Sequence, residues 1–205
     1  GSSDVCSSDL GPLAVWAAVE REVAEDYFVH LGATLLRVSA AFVLAMGIGS
    51  AVGIALGMSE TADRVFGGWL VFFLNLPALV TIILCYVWFG LIEAAAIAAV
   101  AINKIPNVAA TLREGSRALS RDLAEMALVY RLSWTDRMRQ VVLPQLAPFF
   151  AVAARNGLAL VWKIVLVVEL LGRPDGVGFG IHPLFQLFDC AGLLAYATGF
   201  ILVGA

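Results

Sequence analysis

An all-α bundle that crosses a membrane several times is the fold this sequence predicts, and three observations predict it. Of 205 residues, 61% are hydrophobic and 14% charged, with a mean hydropathy of +0.91. Soluble domains carry about 25% charged residues, so this chain lacks the polar groups to cover its own surface, and lipid is the solvent that suits it. Apolar stretches of roughly membrane length recur along the chain and suggest about five spans. A charged, amphipathic insert interrupts them over residues 113–144.

The first ten residues, GSSDVCSSDL, repeat Ser-Ser-Asp and lack an apolar run. They do not resemble a signal peptide and read as a non-native leader. Residues 11–30 set Glu20, Glu22, Glu25 and Asp26 against Arg21 and read as an external amphipathic segment. The membrane region is expected over 31–205. The last apolar run, 191–205, is short for a span and stops abruptly. The expectation is a piece of a longer chain, cut at both ends.

The first span follows Arg37, because positions 38–58 carry no charge. At 1.5 Å per residue that is about 30 Å of helix, enough to cross a bilayer. Gly49, Gly53 and Gly57 recur every fourth residue and predict a flat edge that a second helix can approach closely. After a polar turn, the second span is uncharged between Arg64 and Glu93. Pro77 predicts a kink within it, and Asn75 either lines a pathway or satisfies the backbone that the proline frees. The third span runs from Ala94 to about Leu112, interrupted by Lys104 and Pro106. The fourth begins near Leu146, reaches Leu171, and holds Arg155, Asn156, Lys163 and Glu169. A helix surrounded by protein accounts for so polar a span.

Charges within spans cost about 2.5–3.5 kcal/mol each on insertion scales. Lys104, Lys163 and Glu169 should therefore face protein or water. Either a lysine attracts an anionic solute in passage, or these groups pair internally. Lys163 and Glu169 are six residues apart and do not stack on one helix face.

The net charge of −3, with no basic stripe, argues against nucleic acid. Cys6, Cys85 and Cys190 show neither metal nor disulfide spacing. GVGFG lacks the Lys-Ser/Thr pair of a phosphate loop and follows a membrane span rather than a strand. His30 and His182 are far apart, and no nucleophile–base set stands out. The chain is expected to be no catalyst and to bind no metal.

In the insert, Ser120 is placed to cap a helix. Leu123, Met126, Ala127 and Tyr130 then repeat at helical spacing. Ser133 with Asp136 matches a capping box. Trp134, Met138, Val141 and Val142 form a second stripe, and Pro144 is expected to end that helix. Two short amphipathic helices with a turn at 131–133 result. By the charge rule, loops 58–66 and 111–140 hold seven arginines against Arg21 and Arg173 on the opposite side, which puts the insert in the cytoplasm. Such an insert either packs at the membrane surface or docks a soluble partner.

The run EMALVYRLSWTDRMRQVVLP, Glu125 to Pro144, resembles the signature of bacterial ATP-binding-cassette importer permeases: Glu-Ala-Ala, three residues, Gly, nine residues, Ile, one residue, Leu-Pro. Glu125, Ala127, Leu143 and Pro144 fall on its positions. Val141 stands for Ile, Met126 for the second residue, and Arg131 for the glycine, where left-handed geometry costs an L-residue roughly 1–2 kcal/mol. HLGATLLRVSAAFVLAMGIGSAVGIALGMS, LPALVTIILCYVWFG and VVELLG followed by GVGFGI resemble the nitrate/sulfonate/taurine branch. The resemblance implies the type I importer permease fold. It also implies a dimer of permeases, most simply a homodimer, two ATPase subunits that hold ATP and Mg, and an external solute-binding protein. Glu125, Met126, Ala127, Arg131, Leu143 and Pro144 would serve ATPase coupling. Asn75, Lys104, Asn156, Lys163 and Glu169 would serve the pathway or intramembrane pairing. The alternatives are a secondary transporter or channel fragment, which predicts broken helices about a midplane site, and a non-transporting scaffold.

Overall fold

The computed structural model describes residues 27–120, 126, 129–186, 193, 194, 198 and 200. The leader, residues 11–26, Arg121, Leu123, Glu125 and Ala127 lie outside them, as does most of the run 191–205. All regular elements among the described residues are helical: α1 (Tyr27–Met58), α2 (Glu60–Leu74), α3 (Ala78–Phe89), α4 (Glu93–Arg117), α5 (Trp134–Arg137), a π-helical turn (Met138–Val142), α6 (Leu143–Gly172) and α7 (Val177–Gln186). Three stretches are long and apolar enough to cross a membrane: Phe28–Met58, Glu93–Arg117 and Trp134–Gly172. The pair α2–α3 makes a fourth if it is one bent span.

Three expectations change. The kink at Pro77 is a break of 95° between α2 and α3. Asn75 closes the end of α2, its Nδ2 donating to Val71 O at 2.7 Å, while Val80 and Thr81 N–H groups restart the helix on Pro77 O. Pro106, by contrast, sits inside a continuous α4. Its side chain is buried, and packing neighbours hold the helix through the missing N–H. Nor does Pro144 end a helix: Leu143 is helical, at φ −61°, ψ −42°, and its N–H reaches back five residues to Met138 O. Proline at 144 offers no N–H to residue 140 and its ring crowds that carbonyl. A widened π turn over 138–142 absorbs the misfit, so α5, the π turn and α6 run as one helical stretch of 39 residues.

The chain divides into two compact units. One comprises Gly1–Ala40, Ile82–Val100 and Trp162–Ala205, and the other Ala41–Thr81 and Ala101–Val161. In the second, the glycine edge of α1 is filled by α4. A Cβ on Gly49 would lie 2.7 Å from Val108 Cβ, and one on Gly53 2.5 Å from Ala109 O. At Gly57 it would run into Ser116. Removing three side chains at four-residue spacing lets the two backbones meet. Val108, Leu112 and Ala153 then form a core with Phe149 and Phe150 packed against it. In the first unit, Val177 and Phe200 anchor the core; Trp162 stacks on Phe200 with centroids 4.4 Å apart. Tyr86 Oη donates to Val168 O at 2.9 Å.

Candidate functional site

The insert presents a turn with large side chains on its outside. Tyr130 N–H donates to Met126 O at 3.0 Å, closing a helical turn. Arg131 then takes φ +48°, the one left-handed non-glycine among the described residues. The signature's glycine geometry is thus kept without the glycine. Ser133 Oγ accepts from Asp136 N at 3.2 Å and caps α5. The reciprocal half of the capping box is absent; Ser133 Oγ and the Asp136 carboxylate instead meet directly at 2.6 Å. Asp is too short to reach back to the backbone as Glu does.

Around this turn Met126, Val129, Tyr130 and Trp134 are exposed, Tyr130 to 74% and Trp134 to 72%. The second stripe is therefore split: Val141 and Val142 are buried while Trp134 faces outward. The π turn explains the split, since a widened turn shifts the phase of everything before it. Leu143 and Pro144 are exposed. Gln145, which sequence reasoning overlooked, ties the insert's two ends. Its Oε1 accepts from Ser120 N at 3.0 Å and its Nε2 donates to Val141 O at 2.9 Å. The helix start expected after Ser120 falls on residues outside the described ones. Arg64, Arg117 and Arg137 line a cavity of about 680 Å³ with Asp63, Ser116 and Ser120. Asp63 pairs with both Arg113 and Arg117. Arginines from both loops expected on one side thus gather in one place.

Of the expected intramembrane residues, Lys104 and Asn156 share a site. They line a groove of about 330 Å³ between α4 and α6 with Asn107 and Thr111. Lys104 is only 3% exposed. Gly157 gives it room, since a Cβ there would stand 3.3 Å from Lys104 Cε. Asn75 is at the break between α2 and α3. Lys163 is exposed on α6 and has no ion pair among the described residues.

Glu169 is fully buried, and its partner is Arg37, which the sequence reading used only to mark where the first span begins. Arg37 Nη1 donates to Glu169 Oε1 at 2.8 Å and to Asp175 O at 3.1 Å. Nε and Nη2 grip Glu93 at 2.5 and 2.9 Å, and Nη2 also reaches Asp175 Oδ1 at 2.6 Å. All five guanidinium donors are used. Arg173 adds a second cation, 2.6 Å from Glu93 Oε2. The other Glu169 oxygen accepts from Thr34 Oγ1 at 2.9 Å and Gly178 N at 3.0 Å. Val177 N donates to Thr34 Oγ1, and Gly176 N to His30 Nδ1. The free N–H groups that start α7 are thereby satisfied, with a carboxylate at the positive end of the helix. The glycines of GVGFG serve this contact: Gly176 has φ +105°, and a Cβ there or on Gly178 would collide with Glu169 or Leu166 O.

Comparison with known proteins agrees with this architecture. The model of the family described as binding-protein-dependent transport system inner membrane component matches residues 13–205. This chain belongs to that family. A protein of Bacillus subtilis (strain 168) that carries the name of an aliphatic sulfonates transport permease, SsuC, is 28% identical over 100% of this chain and 75% of its own length. The taurine transport system permease protein TauC of Escherichia coli (strain K12) is 27% identical over 75% of this chain and 56% of itself. The bicarbonate transport system permease protein CmpB of Synechococcus elongatus shows the same identity and coverage. The permease is thus a multi-pass inner-membrane subunit of the nitrate/sulfonate/taurine branch of ATP-binding-cassette importers, and the secondary-transporter and scaffold alternatives fall away.

Proposed function

We propose that this permease forms the solute path of an ATP-driven importer and is moved by an ATPase subunit docked on the turn around Met126–Arg137. The observation that carries the reading is the join between that turn and the membrane. Exposed Tyr130 and Trp134 sit at the foot of one helical stretch reaching Gly172. At 1.5 Å per residue its 39 residues measure about 58 Å. A partner that grips the foot moves the whole rod, which is rigid-body coupling through a packed contact. Glu125 and Ala127 would contribute to the grip beside Met126. Arg131 sets the turn, and Leu143 and Pro144 with the π turn set the angle of return.

In this reading the insert is cytoplasmic, ATP and Mg are held by the ATPase, and this chain binds neither. A second copy of the permease completes the path, and an external solute-binding protein delivers the solute and supplies most of the selectivity. The sulfonates, taurine and bicarbonate in the relatives' names each carry an oxyanion, and we assign this permease a solute of that class. Co-purification with the ATPase encoded beside it tests the reading. Tyr130→Ala with Trp134→Ala should reduce association at least about thirtyfold, the equivalent of roughly 2 kcal/mol for lost aromatic anchors. Glu125→Ala should weaken coupling, with membrane insertion normal in every variant. Wild-type association and uptake in all of them would refute the docking assignment.

A further inference from the structure

Lys104 carries the strongest unassigned chemistry in the molecule. It is a cation on the middle of a membrane helix and almost wholly buried. Among the described residues it has no carboxylate, carbonyl or hydroxyl partner. Buried charges are normally paired, and this molecule pairs its other large buried charges, Arg37 and Glu169, in full.

The groove that Lys104 lines is polar on one stripe only. Lys104, Asn107, Val108 and Thr111 recur at three- and four-residue spacing on α4, facing Ala153, Asn156 and Leu160 of α6. No acidic side chain lines it. Asn107 Nδ2 gives one of its two N–H donors to Asn103 O, and Thr111 Oγ1 gives its only one to Asn107 O. The Asn156 amide has no such bond among the described residues. What remains for a ligand is an ammonium with three donors, the Asn156 amide, one N–H of Asn107, and small apolar walls at Val108, Ala153 and Ala159. That set matches a compact oxyanion with a short apolar body. It does not match a cation, which would meet Lys104 without a counter-charge.

We propose that the α4–α6 groove is an anion-binding station in the translocation path, with Lys104 as the charge contact and Asn156 as the orienting amide. The proposal rests on the permease reading above for the anion being a solute in transit. Gly157 belongs to the site as well, because it leaves the space that the lysine stem occupies.

The test reads the charge of the groove without requiring transport. In the full chain with Cys6, Cys85 and Cys190 changed to serine, Asn156→Cys is introduced and the protein is placed in phosphatidylcholine nanodiscs. Reaction rates with anionic sulfonatoethyl and cationic trimethylammonioethyl methanethiosulfonate are compared, each normalised to free 2-mercaptoethanol. A cleft of one sign raises the local counter-ion concentration by about tenfold or more. The anionic reagent should be preferred by that factor, Lys104→Arg should keep the preference, and Lys104→Met should abolish it. Millimolar methanesulfonate should slow labelling while Lys104 is present. Equal rates for the two reagents, or a preference that survives Lys104→Met, would overturn the station. Slowing by phosphatidylglycerol in the disc but not by methanesulfonate would overturn the solute assignment in favour of a lipid headgroup. ATPase co-purification, measured separately, reports on the permease reading, so the two failures are distinguishable.

Discussion

Arg37 and Glu169 lie 132 residues apart in sequence and 2.8 Å apart in space, both buried. Two desolvated charges are tolerable only because each is surrounded. Arg37 also holds Glu93 and Asp175, and Glu169 also accepts from Thr34 and Gly178. The pair thereby joins the first turns of α1 to the start of α7 and to the head of α4.

Breaking this pair should be costly. Glu169→Ala leaves a buried guanidinium short of a counter-charge, and such losses run to about 3–5 kcal/mol. Glu169→Gln preserves acceptors for Thr34 and Gly178 and should cost less. Thermal unfolding in detergent would rank the variants; equal midpoints for wild type and Glu169→Ala would show that the network is not holding the fold.

The α1–α4 seam should reject a side chain at its centre. Gly53→Val forces bulk against Ala109 O and Leu112, and overpacking of this kind costs about 1–3 kcal/mol. Gly47, on the same helix with nothing within 4 Å of its virtual Cβ, should accept alanine with a gain of about 0.5–1 kcal/mol. The same unfolding assay compares them. A tolerated Gly53→Val would mean the helices separate freely.

Arg131 holds positive φ at a cost that glycine would remove. Arg131→Gly should stabilise the turn by up to about 1–2 kcal/mol, offset by the greater freedom of the unfolded chain. Arg131→Val should open it. Limited proteolysis at the turn reads the difference directly, with slower cleavage expected for glycine and faster for valine.

Pro144 should control the angle of the docking turn. Pro144→Ala restores an N–H and lets the π turn relax to α-helix. Each residue of phase is about 100° of rotation, so Trp134 would swing to a different face. Uptake should fall relative to ATP hydrolysis while the amount of membrane-inserted protein stays the same. Unaltered coupling would separate the π turn from the mechanism.

Several features were legible because they are local. The glycine edge of α1 and the Ser133 cap depend on residues within a turn or two of each other. The sequence also marked Glu169 and Lys104 as charges needing explanation. It did not supply the explanations. Arg37 reads as the polar end of a span until α6 brings Glu169 beside it. Asn156 reads as one more polar residue until it faces Lys104. The breaker rule for proline failed at 106 and 144 because neighbouring turns and side chains absorb the missing N–H.

By itself the sequence determined that the protein is helical, that lipid is its solvent, which segments are apolar enough to cross, and where a charged amphipathic insert interrupts them. These follow from composition and from periodicities that a helix repeats every few residues. Only tertiary structure decided that Arg37 and not Lys163 neutralises Glu169, that Lys104 faces an open groove, and that the second helix of the insert runs on into the span after it. The reason is range: helix formation is settled by neighbours in the chain, whereas the fate of a buried charge is settled by whichever distant residue packing brings within 3 Å or so.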